Sequence, residues 1–286
     1  MPVHAATLTH NDRYAGCGME YGIDVSYHQG DIDWEKVKQS GVRFAFIRVA
    51  RRTLDGGTLD MDKRAIENIE GAISVGLPIG VYIFSQAVNQ TEAIEEANYI
   101  VKAIEPYKDK ITLPVVFDYE YGDVQGNSGR LEKANLSKSS ATNNCLAFCN
   151  TVKEAGYTPM VYVNRDILVH DLDASILERY YPIWLAHYTY ETDYEGQYTY
   201  WQYSSNGKVD GIEGRVDLNV RYLDSDAEAY SVYGQELQEY QEYFYEQQES
   251  LPTWIFWLIG GAVALVVVMI GSVIGLAIKE GNKNGN

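Results

Sequence analysis

Cationic side chains are scarce in this chain. Lys and Arg number 23 against 40 Asp and Glu, which leaves a net charge of −17 over 286 residues. Nucleic-acid backbones are bound by clustered Lys and Arg, so DNA and RNA are excluded as partners. Histidine is sparse too: His4 and His10 fall near the start, and His28, His170 and His187 are dispersed. There is no zinc-like Cys/His spacing, no His-Glu-x-x-His, no Gly-x-Ser-x-Gly elbow and no phosphate loop. No metal and no cofactor is therefore expected. The cysteines are Cys17, Cys145 and Cys149. Cys145 and Cys149 share one face of an expected helix and read as buried free thiols. If the domain lies outside the cell, a bridge from Cys17 to one of them is the alternative, with its partner unassigned.

What is present is a large apolar share. The hydrophobic fraction of 46% supplies a sizeable core and excludes disorder throughout. Residues 20–223 alternate between short apolar runs and amphipathic stretches. Strands are expected at 21–26, 42–50, 78–85, 113–120, 158–164, 182–186, 198–203 and 215–220. Helices are expected at 34–40, with Asp33 as N-cap, and at 62–75, 91–104 and 138–155. Strands alternating with helices imply parallel pairing. The expected fold class is α/β, a modified TIM-like barrel of about eight strands with fewer helices in its second half.

The two ends of the chain differ from this middle. Residues 224–250 hold eight acidic side chains and no basic one. The segment 224–253 reads as an acidic stalk or linker. Residues 254–278 contain no Asp, Glu, Lys or Arg. At about 1.5 Å per residue they would span roughly 37 Å, enough for a transmembrane helix. Trp254 and Trp257 mark one interface, and Lys279 and Lys283 mark the other. The short tail 279–286 is then cytoplasmic, and the domain that precedes the stalk extracellular, with the chain anchored in the cell membrane by a single pass. Gly271 and Gly275 form a small-xxx-small pair, which offers a helix-mediated dimer beside an incidental reading. Val3-His4-Ala5 has the small residues of a signal-peptidase site, so residues 1–19 read as a tail that holds a signal-peptide remnant, with the true start upstream.

Carboxylates terminate the apolar runs. The first strand carries Asp24, the fourth ends in Asp118 and Glu120, and the last expected strand carries Asp217. In a parallel barrel the strand C-termini form the reactive mouth. Asp118 and Glu120, two apart, share a strand face with Cα atoms roughly 6.5–7 Å apart. Carboxylates crowded at one mouth raise one another's pKa, so that one keeps a proton while another stays charged. Glycosidic cleavage needs that division of labour.

These residues sit in a wider pattern. Gly22-Ile23-Asp24-Val25-Ser26-Tyr27-His28-Gln29-Gly30, Gly80-Val81-Tyr82-Ile83-Phe84-Ser85, Phe117-Asp118-Tyr119-Glu120 and Trp201-Gln202-Tyr203-Ser204-Ser205 occur in order. Val216-Asp217-Leu218-Asn219 follows. Over residues 20–223 the chain resembles the glycoside hydrolase family 25 lysozymes. The resemblance implies hydrolysis of the β-1,4 bond between N-acetylmuramic acid and N-acetylglucosamine in peptidoglycan glycan strands. It implies Glu120 as general acid/base and Asp118 as the residue that holds the substrate's 2-acetamido group, itself the nucleophile. Asp24 and Asp217 would complete the acidic floor, and Tyr82, Tyr162 and Trp184 would shape the sugar subsites. One departure is Arg48-Val49-Ala50-Arg51-Arg52, where many members have a Lys-x-Ser/Thr-Glu-Gly-like segment. No carboxylate of the set is lost by it. The alternative to an enzyme is an inactive glycan-binding protein or wall scaffold; retention of all four acidic residues favours the enzyme.

Overall fold

The computed structural model describes residues 8–223. The expected transmembrane segment 254–278, the stalk, the cytoplasmic tail and the Val3-His4-Ala5 site lie outside the described residues. Among the described residues no helix is long and apolar enough to cross a membrane.

The elements in chain order are β1 (Met19–Val25), α1 (Trp34–Gln39), β2 (Phe44–Arg52), β3 (Leu59–Met61), α2 (Ala65–Ser74), β4 (Ile79–Ser85), α3 (Gln90–Ile104) and β5 (Ile111–Tyr119). A small hairpin of β6 (Asp123–Val124) and β7 (Asn127–Ser128) follows, then α4 (Arg130–Lys133), α5 (Lys138–Glu154) and β8 (Pro159–Asn164). The chain continues through α6 (Arg165–His170), α7 (Ala174–Tyr180), β9 (Ile183–Ala186), β10 (Tyr200–Gly207) and β11 (Val216–Tyr222). All eight expected strands are present. Missing from the expectation are β3, the hairpin and the short helices α4, α6 and α7.

Eight strands close into a barrel in the order β1-β2-β4-β5-β8-β9-β10-β11, because β1 pairs with both β2 and β11. Pairing is parallel from β1 round to β10. It is antiparallel where β11 meets β10 and β1. The early alternation of strands and helices thus gives parallel strands as expected, and the departure is confined to the last strand. Only eight residues, 208–215, join β10 to β11, and a parallel crossover needs a dozen or more.

Helix ends follow local chemistry. The Asp33 carboxylate accepts from the Lys36 amide at 3.1 Å, and the Asn89 side chain from the Glu92 amide at 3.0 Å. Each satisfies an amide that the first helical turn leaves unpaired. Helix α2 begins at Ala65 rather than at 62. Asp62 is drawn instead to the Tyr27 amide (3.1 Å), the Arg48 Nε (2.9 Å) and the Arg64 amide (2.9 Å).

The barrel interior is aromatic. Phe44, Phe46, Tyr82, Tyr162, Trp184 and Tyr200 belong to one buried cluster. Phe46 stacks on Trp184 with centroids 4.5 Å apart. Gly80 makes room for this: a Cβ there would lie 2.3 Å from the Phe46 ring and 2.7 Å from the Pro114 carbonyl. Residues 8–18 pack on the barrel, with Leu8 and Tyr14 buried and the Tyr14 hydroxyl donating to the Tyr198 carbonyl at 2.6 Å. Cys145 and Cys149 are buried free thiols on α5, and Cys17 is free and half-buried.

Candidate active site

The last inward positions of the strands meet at one mouth. Asp24 is next to last on β1 and Asp118 next to last on β5. Glu120 is the first residue beyond β5. Asp217 is the second residue of β11, not a strand end, and it reaches the same mouth because β11 runs the other way. Its register partner is Asp24 itself. The four carboxylates read from the sequence all line one cleft of about 950 Å³, together with Tyr82, Tyr162 and Trp184.

Burial dominates the electrostatics. Asp24 is 5% exposed, and its Oδ2 accepts from Gln202 Nε2 at 2.7 Å and Asn219 Nδ2 at 2.8 Å. Its carboxyl is held well above the usual range by burial and then by the charge of Asp217, against those two hydrogen bonds. Asp217 is itself raised, again by burial. Asp118 is raised by burial, then by Glu120 and Asp24. Its Oδ1 is buried without a hydrogen-bond partner. Glu120 is half-buried and pushed up to about 7, by burial first and by Asp217 second, with Arg48 opposing. Glu120 thus raises Asp118, as the spacing of the two predicts, and Asp217 raises Glu120.

A buried amide pair supports this floor. Gln202 Oε1 accepts from the Tyr162 hydroxyl at 2.8 Å and the Tyr188 hydroxyl at 3.0 Å, and Trp184 Nε1 donates to Asn219 Oδ1 at 2.8 Å. Tyr162 and Trp184 therefore belong both to the aromatic core and to the cleft floor. Sequence reasoning missed Gln202, Asn219, Tyr188 and Arg48 as site residues. Period two counted from Asp217 would have found Asn219. Gln202 stood inside the quoted Trp-Gln-Tyr segment, and Arg48 follows Phe44 and Phe46 at period two on the inward face of β2.

Arg48 lines the cleft, fixed by its Nε contact to Asp62, while its Nη2 is buried without a partner. It lies over the Tyr27 ring at 5.1 Å. A second cleft of about 510 Å³ adjoins the first and shares Glu120, Tyr162 and Tyr188 with it. Tyr188 is 57% exposed, an aromatic face between the two clefts. Among the described residues no group of three or more His, Cys, Asp or Glu is arranged to hold a metal ion. A carboxyl that keeps its proton near neutrality, above a floor of further carboxyls and beside open space on both sides, can protonate a leaving oxygen.

The family described as Glycosyl hydrolases family 25 matches residues 23–212. Lysozyme M1 of Streptomyces globisporus is 28% identical over 213 residues, which cover 69% of this chain and 66% of that protein. An uncharacterized protein, YegX, of Escherichia coli strain K12 is 30% identical over 70% of this chain and 68% of its own length. The solved structure of the modular autolysin LytC from Streptococcus pneumoniae superposes with a TM-score of 0.62 at 28% identity, covering 71% of this chain and 47% of that one. The chain thus spans about two thirds of the first relative and about half of LytC.

Proposed function

Because the chain belongs to glycosyl hydrolase family 25, we propose that it is a peptidoglycan hydrolase, a lysozyme that cleaves the β-1,4 bond from N-acetylmuramic acid to N-acetylglucosamine. The observation that carries this reading is Glu120, with its pKa raised to about 7 at the mouth of a carboxylate-floored cleft.

The reaction runs in two balanced steps. Glu120 gives its proton to the glycosidic oxygen as the bond to the anomeric carbon breaks. The carbonyl oxygen of the substrate's own 2-acetamido group forms a bond to that carbon. The unpartnered Oδ1 of Asp118 accepts the acetamido N–H and holds the group in line. Water then attacks the anomeric carbon, the acetamido oxygen leaves, and the water's proton returns to Glu120. Asp24, paired in register with Asp217 and held by Gln202 and Asn219, keeps the floor rigid, and the charge of Asp217 adds to the burial that raises the proton affinity of Glu120. Tyr82, Tyr162 and Trp184 shape the floor under the sugar.

Residues 254–278 would anchor the enzyme in the membrane, with the barrel outside and 224–253 as spacer. Protease added to wall-stripped cells should then release the barrel without lysis; protection until the membrane is broken would contradict that topology. The catalytic assignment is tested by Glu120→Gln in the full chain. Turnover of purified peptidoglycan should fall by about 10²–10⁴-fold or more while thermal unfolding is retained. Activity within a factor of about ten of the parent would remove Glu120 from this role.

A further inference from the structure

Glu120 has no strand to hold it. The ladders on both sides of β5 end one residue earlier, at Tyr119, which pairs with Ser85 on β4 and Val163 on β8. Asp118 is fixed by those ladders, between Phe84 and Tyr162. The backbone that carries the acid must be held by something else, and a general acid displaced by about 1 Å loses about 10²-fold in rate.

The neighbouring strand supplies the brace. Gln86 is the first residue beyond β4, as Glu120 is the first beyond β5, and it is fully buried. Its Nε2 donates to the Glu120 carbonyl at 2.9 Å and to the Ser85 carbonyl at 2.7 Å. Its Oε1 accepts from the Leu131 amide at 3.3 Å. Both amide hydrogens and the amide oxygen of the side chain are thus used. Gln86 lines neither cleft.

Its own backbone is clamped in turn. Arg130 Nη1 donates to the Gln86 carbonyl at 2.7 Å and, with Nη2, grips the Glu92 carboxylate at 2.7 and 2.9 Å. Beneath, the Gln86 amide meets Glu96 Oε1 at 3.4 Å, and that oxygen also accepts from Arg52 Nε at 2.7 Å. Two charge-assisted contacts of this kind are stiffer than neutral ones. We infer that Gln86 is the positioning residue of Glu120: one buried amide, locked by Arg130 and Glu96, fixes the strand end from which the acid projects. The inference rests on the assignment of Glu120 above.

The test uses the full chain on purified peptidoglycan. Gln86→Met keeps the length of the side chain and removes its donors. The expected result is a fall in kcat of about 10²-fold with KM unchanged. The alkaline limb of the pH profile should also move to lower pH, because a loosened Glu120 gains water and loses the burial that raises its pKa. A purely structural role would lower the unfolding temperature and leave that limb in place. Arg130→Met, which frees the Gln86 carbonyl, should give a smaller loss of kcat and the same shift; it decides the matter if Gln86→Met does not fold. A folded Gln86→Met with parental kcat and parental limb, beside an inactive Glu120→Gln, overturns the inference alone. An unaltered Arg130→Met profile, when Gln86→Met does not fold, overturns it equally. An active Glu120→Gln would instead overturn the assignment on which it rests.

Discussion

Asp24 and Asp217 face each other across the antiparallel pairing of the first and last barrel strands, and each acts on the proton affinity of the other. The closing seam of the barrel therefore brings two acids together where a parallel strand would have carried Asp217 to the opposite end. The pair keeps negative charge beside Glu120.

Removing that charge should move the acid. Asp217 is the second cause, after burial, of the raised pKa of Glu120. Asp217→Asn takes it away, so Glu120 should lose its proton at lower pH. The catalytic form is the protonated one, so the alkaline limb of kcat/KM should shift toward acid. A pH–rate series on soluble peptidoglycan fragments reads this directly; a limb that stays or moves upward would separate Asp217 from Glu120.

Arg48→Gln should act in the opposite sense. The guanidinium lowers the pKa of both Asp118 and Glu120. Without it Glu120 should hold its proton to higher pH, and the alkaline limb should rise. Turnover should fall as well, since Nη2 is a buried donor with no partner inside the protein. The same pH series on this variant checks the sign, and a downward shift would contradict it.

Stability should carry the mark of these carboxyls. Glu120 and Glu96 are both raised to about 7 by burial. Between the ordinary glutamate range and about 7 the native state binds more protons than the unfolded chain, so stability falls as pH rises through that window. Thermal unfolding followed from pH 5 to pH 8 should show a declining midpoint. Glu120→Gln should flatten the decline and raise the midpoint at the alkaline end. A midpoint that climbs with pH would show that these groups are not raised in the folded protein.

Much of this architecture was legible in the residues. The eight strands follow from apolar runs, and Asp118 and Glu120 stand out because acids end a run buried on both faces. The direction of β11 was not read, because a period of two has no sense of direction. The information lay in the connection: residues 208–215 are too few for a crossover. The start of α2 was misplaced because Asp62, a good helix opener by type, serves Arg48 and the Tyr27 amide instead. Gln86 left no signal at all. A buried amide just beyond a strand looks like any loop residue until the neighbouring strand end is set beside it.

The central claim is that Glu120 protonates the oxygen leaving N-acetylmuramic acid. Analysis of the products formed by the full chain from purified peptidoglycan tests it most directly. New reducing ends should appear at N-acetylmuramic acid, and none should form with Glu120→Gln. New reducing ends at N-acetylglucosamine, or no cleavage of any peptidoglycan supplied, would contradict the account.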